Sequence, residues 1–307
     1  MRVKRKVLDP DIPRKSELLD SHAKRQQSNN QHPLFAVLEF NLTGLCNRKC
    51  VFCPRSDPKI FPDVNRHISM RLYEKVMMDL EGLGFDGTML YSSFGEPLLY
   101  KDIETLIRLS RKYCPQARIE IITNGDLVTL KKLSKLFAAG LTLISISMYD
   151  GPHQVGHFND LKKAAGLRDD QIVLRKRWLS PQEHFGITLS NRAGAWEMKD
   201  IGIKALKESM KRACYYPFYQ ALVDYDGSVL LCTHDWGRHL ILGNVNDHSI
   251  LEIWNNDILK EVRKNLAKQN RDFTPCNVCD VEGVLMGRSH FDRWVKYYEK
   301  QQSVEGK

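Results

Sequence analysis

The sequence predicts an α/β fold, a partial (β/α)6 TIM-like barrel followed by a small cysteine-rich domain. Apolar, strand-like runs alternate with amphipathic helical patterns over the first two thirds of the 307 residues. This alternation is typical of βα units that form a parallel sheet. Six such units are visible, which is fewer than the eight of a closed barrel. The pattern changes near residue 201, where a hairpin, a helix and a cysteine pair follow.

The predicted strands all precede polar or glycine-containing loops. They cover residues 35–42, 87–92, 117–122, 141–147, 171–175 and 186–190. The predicted helices between them lie near residues 69–81, 101–113, 129–139 and 156–166. In barrels of this kind the chemistry takes place at the carboxyl ends of the strands. We therefore expect the functional residues in the loops that follow each strand.

The last third of the chain contains a different set of elements. An Asp226-Gly227 turn between alternating runs predicts a β-hairpin at 219–232. A helix is predicted near 248–267, and a last helical stretch near 288–300. We place domain boundaries at 34–200 for the barrel, 201–286 for the cysteine-rich domain and 287–307 for a terminal helix and tail.

Charge and composition restrict the class of protein. The net charge is +9, and residues 1–33 are predicted to be a basic flexible tail, because basic tails rich in Asn and Gln are usually solvated. Binding to nucleic acid is not expected, since aromatic residues do not alternate with the basic ones. No apolar run is long enough to span a bilayer, and no export signal is visible. We expect a cytoplasmic protein that does not contact a membrane.

Three of the eight cysteines form a tight group directly after the first predicted strand. Cys46, Cys50 and Cys53 can hold three irons of a 4Fe–4S cube, which leaves the fourth iron open for another ligand. A zinc site would need a fourth nitrogen or sulfur donor, and the intervening residues do not provide one. Eight cysteines in a chain without an export signal indicate metal or redox chemistry rather than disulfides.

This cysteine string resembles the CxxxCxΦC signature of radical S-adenosylmethionine (SAM) enzymes, with Phe52 as the aromatic residue. The resemblance continues at the ends of later strands. It implies a SAM-binding 4Fe–4S cluster on the three cysteines, an aromatic residue near the adenine and further SAM contacts from the later motifs. The expected SAM-binding residues are Phe52, Gly95, Glu96, Pro97, Asn124, Ser145 and Ser147. The Asp150-Gly151 pair resembles another family element but carries one extra residue.

Four further cysteines could close around a second metal centre. Cys214, Cys232, Cys276 and Cys279 come from the predicted hairpin and from a later turn, and their spacing alone fits zinc or a 4Fe–4S cluster. Together with the segment 243–256, they resemble the SPASM/twitch extension of radical SAM proteins, in particular of deoxy-scyllo-inosamine dehydrogenase-like members. That resemblance implies a single auxiliary 4Fe–4S cluster in a β-hairpin-plus-helix domain.

Arg192, after the last predicted strand, is the polar residue that we expect near SAM or the substrate. A guanidinium matches a carboxylate and resists deprotonation, so orientation is favoured over a role as base, although relatives suggest a base at about this place. Arg175 is a weaker candidate for the same roles. His153, His157 and His234 are possible bases. Cys114, between the second helix and third strand, is expected to be a core residue.

The resemblance implies that reductive cleavage of SAM gives a deoxyadenosyl radical, which removes a hydrogen atom from the substrate. Electron transfer to the auxiliary cluster would then make the reaction an oxidation of a sugar, cyclitol or nucleoside-like alcohol. A flavodoxin- or ferredoxin-type protein is the expected electron donor. The alternatives are a peptide-modifying maturase, for which the segment before the first strand is short, a sugar epimerase, and a non-enzymatic zinc, iron–sulfur or nucleic-acid-binding scaffold.

Overall fold

A computed structural model describes residues 9–27 and 33–305. Its elements follow the predicted alternation of strands and helices. The strands are β1 Val37–Phe40, β2 Thr88–Tyr91, β3 Arg118–Thr123, β4 Leu143–Met148, β5 Ile172–Lys176, β6 Gln220–Val223, β7 Ser228–Leu230 and β8 Ile241–Asn244. The helices are α1 Asp11–Gln27, α2 Met70–Gly82, α3 Ile103–Tyr113, α4 Leu130–Ala138, α5 His153–Ala164, α6 Tyr216–Tyr219, α7 Ile250–Trp254, α8 Asp257–Ala267 and α9 Arg288–Glu305.

The eight strands form one sheet in the order β5-β4-β3-β2-β1-β6-β7-β8. The first six strands are parallel: β1 pairs with β2 on one side and with β6 on the other, and Val37 lies between Thr88 and Gln220. The last two strands are antiparallel. The prediction of an α/β fold with a partial barrel is confirmed, because six parallel strands curve around one face.

The sixth parallel strand is not the predicted one. Residues 186–190 follow a short 3-10 helix, Pro181–Gly186, which begins with a capping box between Ser180 and Glu183. The apolar residues of the segment, Ile187 and Leu189, pack in a side cluster with Phe52 and do not pair with a strand. The prediction of a strand at 186–190 is therefore wrong, and the first strand of the hairpin takes its place beside β1.

The outer face of the barrel is apolar and the inner face is polar. On β3 and β4, the side chains that join the main core alternate with residues that do not: Ile119 and Ile121 are core residues, whereas Glu120 and Ser145 are buried polar residues. This period of two is the normal alternation of a strand. Helices α2, α3 and α4 contribute to the core on the outer face, so the inner face needs polar partners.

Helix α1 provides those partners. Its Asp11 accepts a hydrogen bond from Ser145 Oγ (2.8 Å), and Arg14 donates to both carboxylate oxygens of Glu120 (2.7 and 2.8 Å). Leu19 and Ala23 of this helix are also buried. The prediction of a flexible tail at 1–33 is thus wrong for residues 11–27, while residues 1–8 and 28–32 lie outside the described residues.

The predicted hairpin is confirmed as β6 and β7, with Gly227 at a φ of +90° in the turn. The helix predicted at 248–267 is divided into α7 and α8. Asn256 causes this break, because its side chain accepts from Leu259 N as the N-cap of α8 and donates to Leu242 O (2.7 Å). The last helix, α9, packs against α1, and the rings of His290 and His22 stack at 5.2 Å.

Candidate active site and auxiliary cysteine site

A cavity of about 340 Å³ opens at the carboxyl ends of the parallel strands. Its walls include Cys46, Cys50 and Cys53, together with Glu96 and Arg192. The structure thus brings the first cysteine group and most of the predicted SAM-binding residues to one place. This is the position at which barrel enzymes carry their chemistry.

The cysteine loop follows β1 and is held by a buried arginine. Arg55 is 1% exposed; it donates to the carbonyls of Phe94 and Gly44 and pairs with Asp63. A turn from Cys53 N to Cys50 O (2.9 Å) brings these two cysteines together. Because these donors bind the loop from inside the protein, the three thiols stay at the cavity wall.

The three thiols fit a cationic metal cluster. Burial raises the pKa of Cys46 and Cys53, and it raises the pKa of Cys50 to about 12; neighbouring thiols add to the rise at Cys46 and Cys50. Thiolates are the form that ligates iron. A group of thiols that repel each other as anions requires a positive partner before all of them can ionise.

The loop after β2 docks directly onto the cysteine loop. A Cβ at Gly95 would lie 2.2 Å from Thr43 O and 2.9 Å from Leu45 O, so only glycine allows this approach. Gly95 N donates to Asn41 Oδ1 (3.0 Å), and Glu96 N donates to Leu45 O (2.9 Å). The close approach of the two loops therefore explains why the first residue of the Gly95-Glu96-Pro97 tripeptide is a glycine. Pro97 begins a short 3-10 turn and does not line the cavity.

Glu96 is a buried carboxylate at the cavity wall. It is 3% exposed and accepts from Thr123 Oγ1 (2.8 Å), Asn124 N (2.8 Å) and Leu98 N (3.0 Å). Burial raises the pKa of Glu96 to about 7 in spite of these donors. The carboxylate form is poised to accept one more cationic donor, such as an ammonium group.

The loop after β3 also binds the cysteine loop. Asn124 Nδ2 donates to Asn47 Oδ1 (2.7 Å), and Asn47 Nδ2 donates to Asp126 (2.7 Å). Asp126 and Asp150 both pair with Arg48, which lines the cavity. Asp150, the residue displaced by one position from the family pattern, is half exposed and serves in this ion-pair network.

The aromatic Phe52 and the two serines of β4 occupy different environments. Phe52 is 7% exposed and stacks on Tyr149 at a centroid distance of 6.1 Å. Ser147 lines the cavity and accepts from Arg175 (2.7 Å). Ser145 is absent from the cavity lining, and its hydroxyl donates to Asp11. A direct contact from Ser145 to SAM is thus less favoured than one from Ser147.

Arg192 lies between the two cysteine groups. Its backbone has a φ of +51°, and its Nε has no hydrogen-bond partner among the described residues. Burial lowers the pKa of Arg192, although the nearby Cys53 and Asp280 oppose this effect. The guanidinium lies 5.9 Å from the ring centroid of Trp236. Arg192 is thus near Cys53 of the first group and near Asp280, the residue that follows Cys279.

The loop before Arg192 is fastened to the second cysteine pair. Asn191 N donates to Asp280 Oδ1 (2.8 Å), and Asn191 Nδ2 donates to Val278 O (2.7 Å). Asp280 directly follows Cys279, and Val278 directly precedes it. The auxiliary cysteine loop therefore positions a residue of the main cavity.

The four later cysteines meet at one site. Burial raises the pKa of Cys232 and Cys276, and the raised values also reflect Cys214 and Cys279 nearby. A Cβ at Gly283, whose φ is +73°, would lie 2.5 Å from Cys214 Sγ. Glycine is thus required beside this thiol, and the donor set fits a fully ligated cluster.

A site for a single metal ion is a separate question. Within residues 9–27 and 33–305, no three His, Cys, Asp or Glu side chains are placed to hold one metal ion together.

The other candidate residues are divided between the cavity and the surface. His234 lines the cavity, lies beside Ser190 Oγ (3.3 Å), and its pKa is lowered to about 3 by burial and by Arg192. His153 and His157 are exposed on α5 and lie outside the cavity lining. Cys114 is 2% exposed in the main core, as expected for a core residue.

Sequence reasoning missed the contribution of α1 to the cavity. Asp9, Asp11, Ile12 and Lys15 all line it. A signal was available, because Asp9-Pro10-Asp11 resembles a helix start: Asp11 N donates to Asp9 Oδ1 (3.0 Å). The many charged residues that follow instead led to the prediction of a flexible tail.

Two family models match the chain. Residues 40–168 match the radical SAM superfamily, and residues 214–280 match SPASM, an iron–sulfur cluster-binding domain. In the part of the chain that the model describes, no helix is long and apolar enough to cross a membrane.

A curated relative and two solved structures resemble the chain. The S-adenosyl-L-methionine-dependent 2-deoxy-scyllo-inosamine dehydrogenase of Niallia circulans is 31% identical over 78% of this chain and 89% of its own length. A crystal structure of BtrN in complex with AdoMet and 2-DOIA covers 84% of this chain and 97% of that chain, with 28% identity and a TM-score of 0.69. The structure of anSMEcpe with bound AdoMet covers 88% of this chain and 95% of that chain, with 15% identity and a TM-score of 0.53. At this identity the likeness shows the fold alone. The chain therefore belongs to the radical SAM superfamily of enzymes and carries a SPASM iron–sulfur domain, as the cysteine patterns predict.

Proposed function

We propose that this enzyme oxidises a secondary alcohol of a cyclitol- or sugar-like substrate to a ketone. The observation that carries this proposal is the link from the auxiliary cysteine loop through Asn191 to Arg192, which joins the second site to the main cavity. The 31% identical relative is named as a 2-deoxy-scyllo-inosamine dehydrogenase, which supports the same class of reaction. A nucleoside-like alcohol is the next class to test.

The two cysteine groups have separate proposed roles. Cys46, Cys50 and Cys53 would hold the SAM-binding cluster, and Cys214, Cys232, Cys276 and Cys279 would hold the auxiliary 4Fe–4S cluster. In this superfamily the first cluster and SAM together supply a deoxyadenosyl radical that accepts a hydrogen atom from the substrate. The auxiliary cluster would supply an electron acceptor, so that loss of this hydrogen atom from the alcohol carbon, of a proton from its hydroxyl and of one further electron would leave a C=O bond.

The cavity residues would bind and orient SAM. The Glu96 carboxylate is proposed to accept from the SAM ammonium, with Gly95 and Pro97 shaping the loop that presents it. Phe52 would pack beside the adenine, and Asn124 and Ser147 would contribute polar contacts. Ser145 would act indirectly, because its hydroxyl is engaged by Asp11.

Arg192 is proposed to orient a carboxylate or a hydroxyl rather than to act as the base. Its Nε donor is free of partners within the described residues, and a guanidinium binds a carboxylate in a fixed geometry. Arg175 already binds Ser147 (2.7 Å) and lies 3.7 Å from Asp9, so its role is to shape the wall. The proton of the hydroxyl would leave to solvent, because the lowered pKa of His234, about 3, makes its imidazole a poor proton acceptor.

Oxidation is favoured over epimerisation because epimerisation requires a hydrogen-atom donor, usually a thiol. Cys114 is the one cysteine outside the two groups, and it lies in the core away from the cavity. The electron that reduces the first cluster is proposed to come from a flavodoxin- or ferredoxin-type protein.

Cysteine substitutions test the proposal. After anaerobic reconstitution, the wild type should hold about eight irons per chain and should form deoxyadenosine with dithionite and SAM. Cys50→Ala should abolish deoxyadenosine formation, because the SAM-binding cluster is lost. Cys279→Ala should retain SAM cleavage but lose the ketone product, because the electron acceptor is damaged. Iron content, deoxyadenosine and product are measured for each variant.

Cys114→Ala serves as the control and should behave like the wild type in all three measurements. Equal loss of deoxyadenosine in Cys50→Ala and Cys279→Ala would contradict the division of roles. It would indicate that the second group of cysteines only maintains the fold.

A further inference from the structure

Helix α1 runs along the inner face of the partial barrel, from the carboxyl ends of the strands towards their amino ends. Asp9, just before the helix, accepts from Arg177 (2.7 Å), which follows the carboxyl end of β5. Further along, Arg14 binds Glu120 in the middle of β3. Near the end of α1, Arg25 pairs with Asp86, which precedes β2 (2.7 Å). The helix thus starts beside the active-site cavity and ends near the amino end of β2.

The first turn of α1 consequently forms a wall of the cavity. Ile12 and Lys15 line it together with the first cysteine group. Ile12 also lines a small cavity of about 70 Å³, and Lys15 lines a third one of about 50 Å³ that is also lined by Glu120. The side chains of this turn therefore separate the space above the cysteines from the interior of the barrel.

Lys15 is a cation of this wall that is paired only loosely, although the carboxylates of Asp9, Asp11, Glu39 and Glu120 are close enough to act on it electrostatically. Its Nζ lies 3.9 Å from Asp11 Oδ2, which is too far for a hydrogen bond. By contrast, Arg48 pairs with carboxylates of the loops after β3 and β4, and Arg55 binds Asp63 and backbone carbonyls. The Lys15 side chain is 22% exposed, so its ammonium keeps access to the cavity.

A second observation also indicates a ligand at this wall. Arg175 is 7% exposed and lines the same cavity, but its Nε has no hydrogen-bond partner within the described residues. Asp9 and Asp11 lie 3.7 and 4.0 Å from Arg175 Nη1 and do not satisfy Nε. A buried donor without a partner is costly, and a polar ligand in the cavity would remove that cost.

We propose that Lys15 is a substrate-binding residue, which donates a hydrogen bond from α1 to a hydroxyl oxygen of the polyol that is oxidised. This inference rests on the proposed function and deepens it, since it assigns the wall that recognises the substrate. The ammonium also disfavours a substrate amine at the same ring position, because like charges repel. Ile12 supplies the apolar part of the same wall.

Kinetics of full-length, reconstituted variants test this role. The probes are 2-deoxy-scyllo-inosamine and the amine-free cyclitols scyllo-inositol and myo-inositol. Lys15→Met should raise KM for the oxidised cyclitol about ten- to hundred-fold, the usual loss for a hydrogen bond to a charged group. Deoxyadenosine formation without substrate is measured beside KM for each variant, so that a loss of substrate affinity is separated from a loss of SAM cleavage. Lys15→Arg, which keeps the charge, should restore part of the affinity.

Lys24→Met is the matched control, because Lys24 is exposed on the same helix; thermal unfolding of each variant shows whether the fold is intact. If the wild type oxidises a cyclitol and Lys15→Met has the KM of Lys24→Met, the role of Lys15 is overturned and the proposed function stands. If the wild type cleaves SAM but oxidises none of the three cyclitols, the proposed substrate class fails, and the role of Lys15 fails with it.

Discussion

Glu96 shows how a single buried carboxylate can be ready for a cation. Three donors surround it, yet burial still raises its pKa to about 7. The cost of desolvating the charge therefore exceeds the gain from these donors. An incoming ammonium would offset that cost, so the charged form of Glu96 and the bound form of SAM should favour each other.

SAM binding should consequently weaken as the pH falls through 7. Glu96 takes up a proton in that range, and a neutral carboxyl group no longer attracts an ammonium. Glu96→Gln should lower SAM affinity roughly ten-fold at pH 8, the scale of one charge-assisted hydrogen bond, and should remove most of the pH dependence. Anaerobic equilibrium dialysis of the reconstituted enzyme measures both effects.

Glu104→Gln provides a matched control, because Glu104 pairs with Lys132 on the outer helices (3.0 Å). This variant should keep the wild-type profile. A Glu96→Gln profile that is parallel to that of the wild type would show that Glu96 does not bind the SAM ammonium.

At the scale of the elements, helix α1 is held to the sheet by the ion pair between Arg14 and Glu120. This pair differs from the surface pairs of the helix because its carboxylate is buried. The Glu120 carboxylate is 2% exposed and receives two hydrogen bonds from Arg14. Burial would raise the pKa of Glu120, but Arg14 and the neighbouring cations hold it below its ordinary value. Removal of Arg14 alone would leave this buried charge with one hydrogen bond from a cation, donated by the partly exposed Arg118 (3.1 Å).

Arg14→Met should therefore destabilise the folded protein by about 3–5 kcal/mol, as measured by urea unfolding at pH 7. Glu120 has a lowered pKa, so the pair contributes stability above the ordinary value of 4.5 and loses it as the pH falls below that value. The difference between variant and wild type should shrink accordingly in acid.

Arg25→Met is the control on the same helix. Arg25 is 53% exposed and pairs with the half-exposed Asp86, so its loss should cost about 1 kcal/mol or less. The double variant Arg14→Met/Glu120→Gln should regain much of the lost stability. Equal losses from Arg14→Met and Arg25→Met would show that the buried pair has no special role.

The sequence was sufficient to predict the elements whose signals are local. The cysteine triplet, the glycine of the Gly95-Glu96-Pro97 loop and the Asp226-Gly227 hairpin each follow from nearby residues. The position of α1 against the sheet could not be predicted, because it depends on Glu120 and Ser145, which lie more than 100 residues away in the chain. The apolar pattern at 186–190 misled the prediction, since its side chains pack against Phe52 and not on a strand.

At the scale of the whole molecule, the barrel and the SPASM domain share one sheet and one core. Strand β6 pairs along its length with β1, and the main core contains residues of both parts, such as Ile121 and Ile253. The Arg263 guanidinium lies 3.9 Å from the ring centroids of both Trp254 and Trp294. The two parts should therefore unfold together.

Urea unfolding should give one transition with coincident curves from circular dichroism and tryptophan fluorescence. Three of the five tryptophans, Trp236, Trp254 and Trp294, lie in the C-terminal part, so fluorescence gives more weight to that part than circular dichroism, which reports on all helices and strands. A fluorescence midpoint clearly below that of circular dichroism would show that the SPASM part melts first and would contradict a shared core.

The contact between α1 and α9 has a consequence for synthesis of the protein. Translation delivers His22 long before His290, although their rings stack in the folded chain. Ser289 likewise hydrogen-bonds Asp20 through its side chain (2.5 Å). A ribosome-bound chain that stops short of residue 289 lacks these contacts. The helix that forms a wall of the cavity thus gains these contacts only after residues 289 and 290 have emerged from the ribosome.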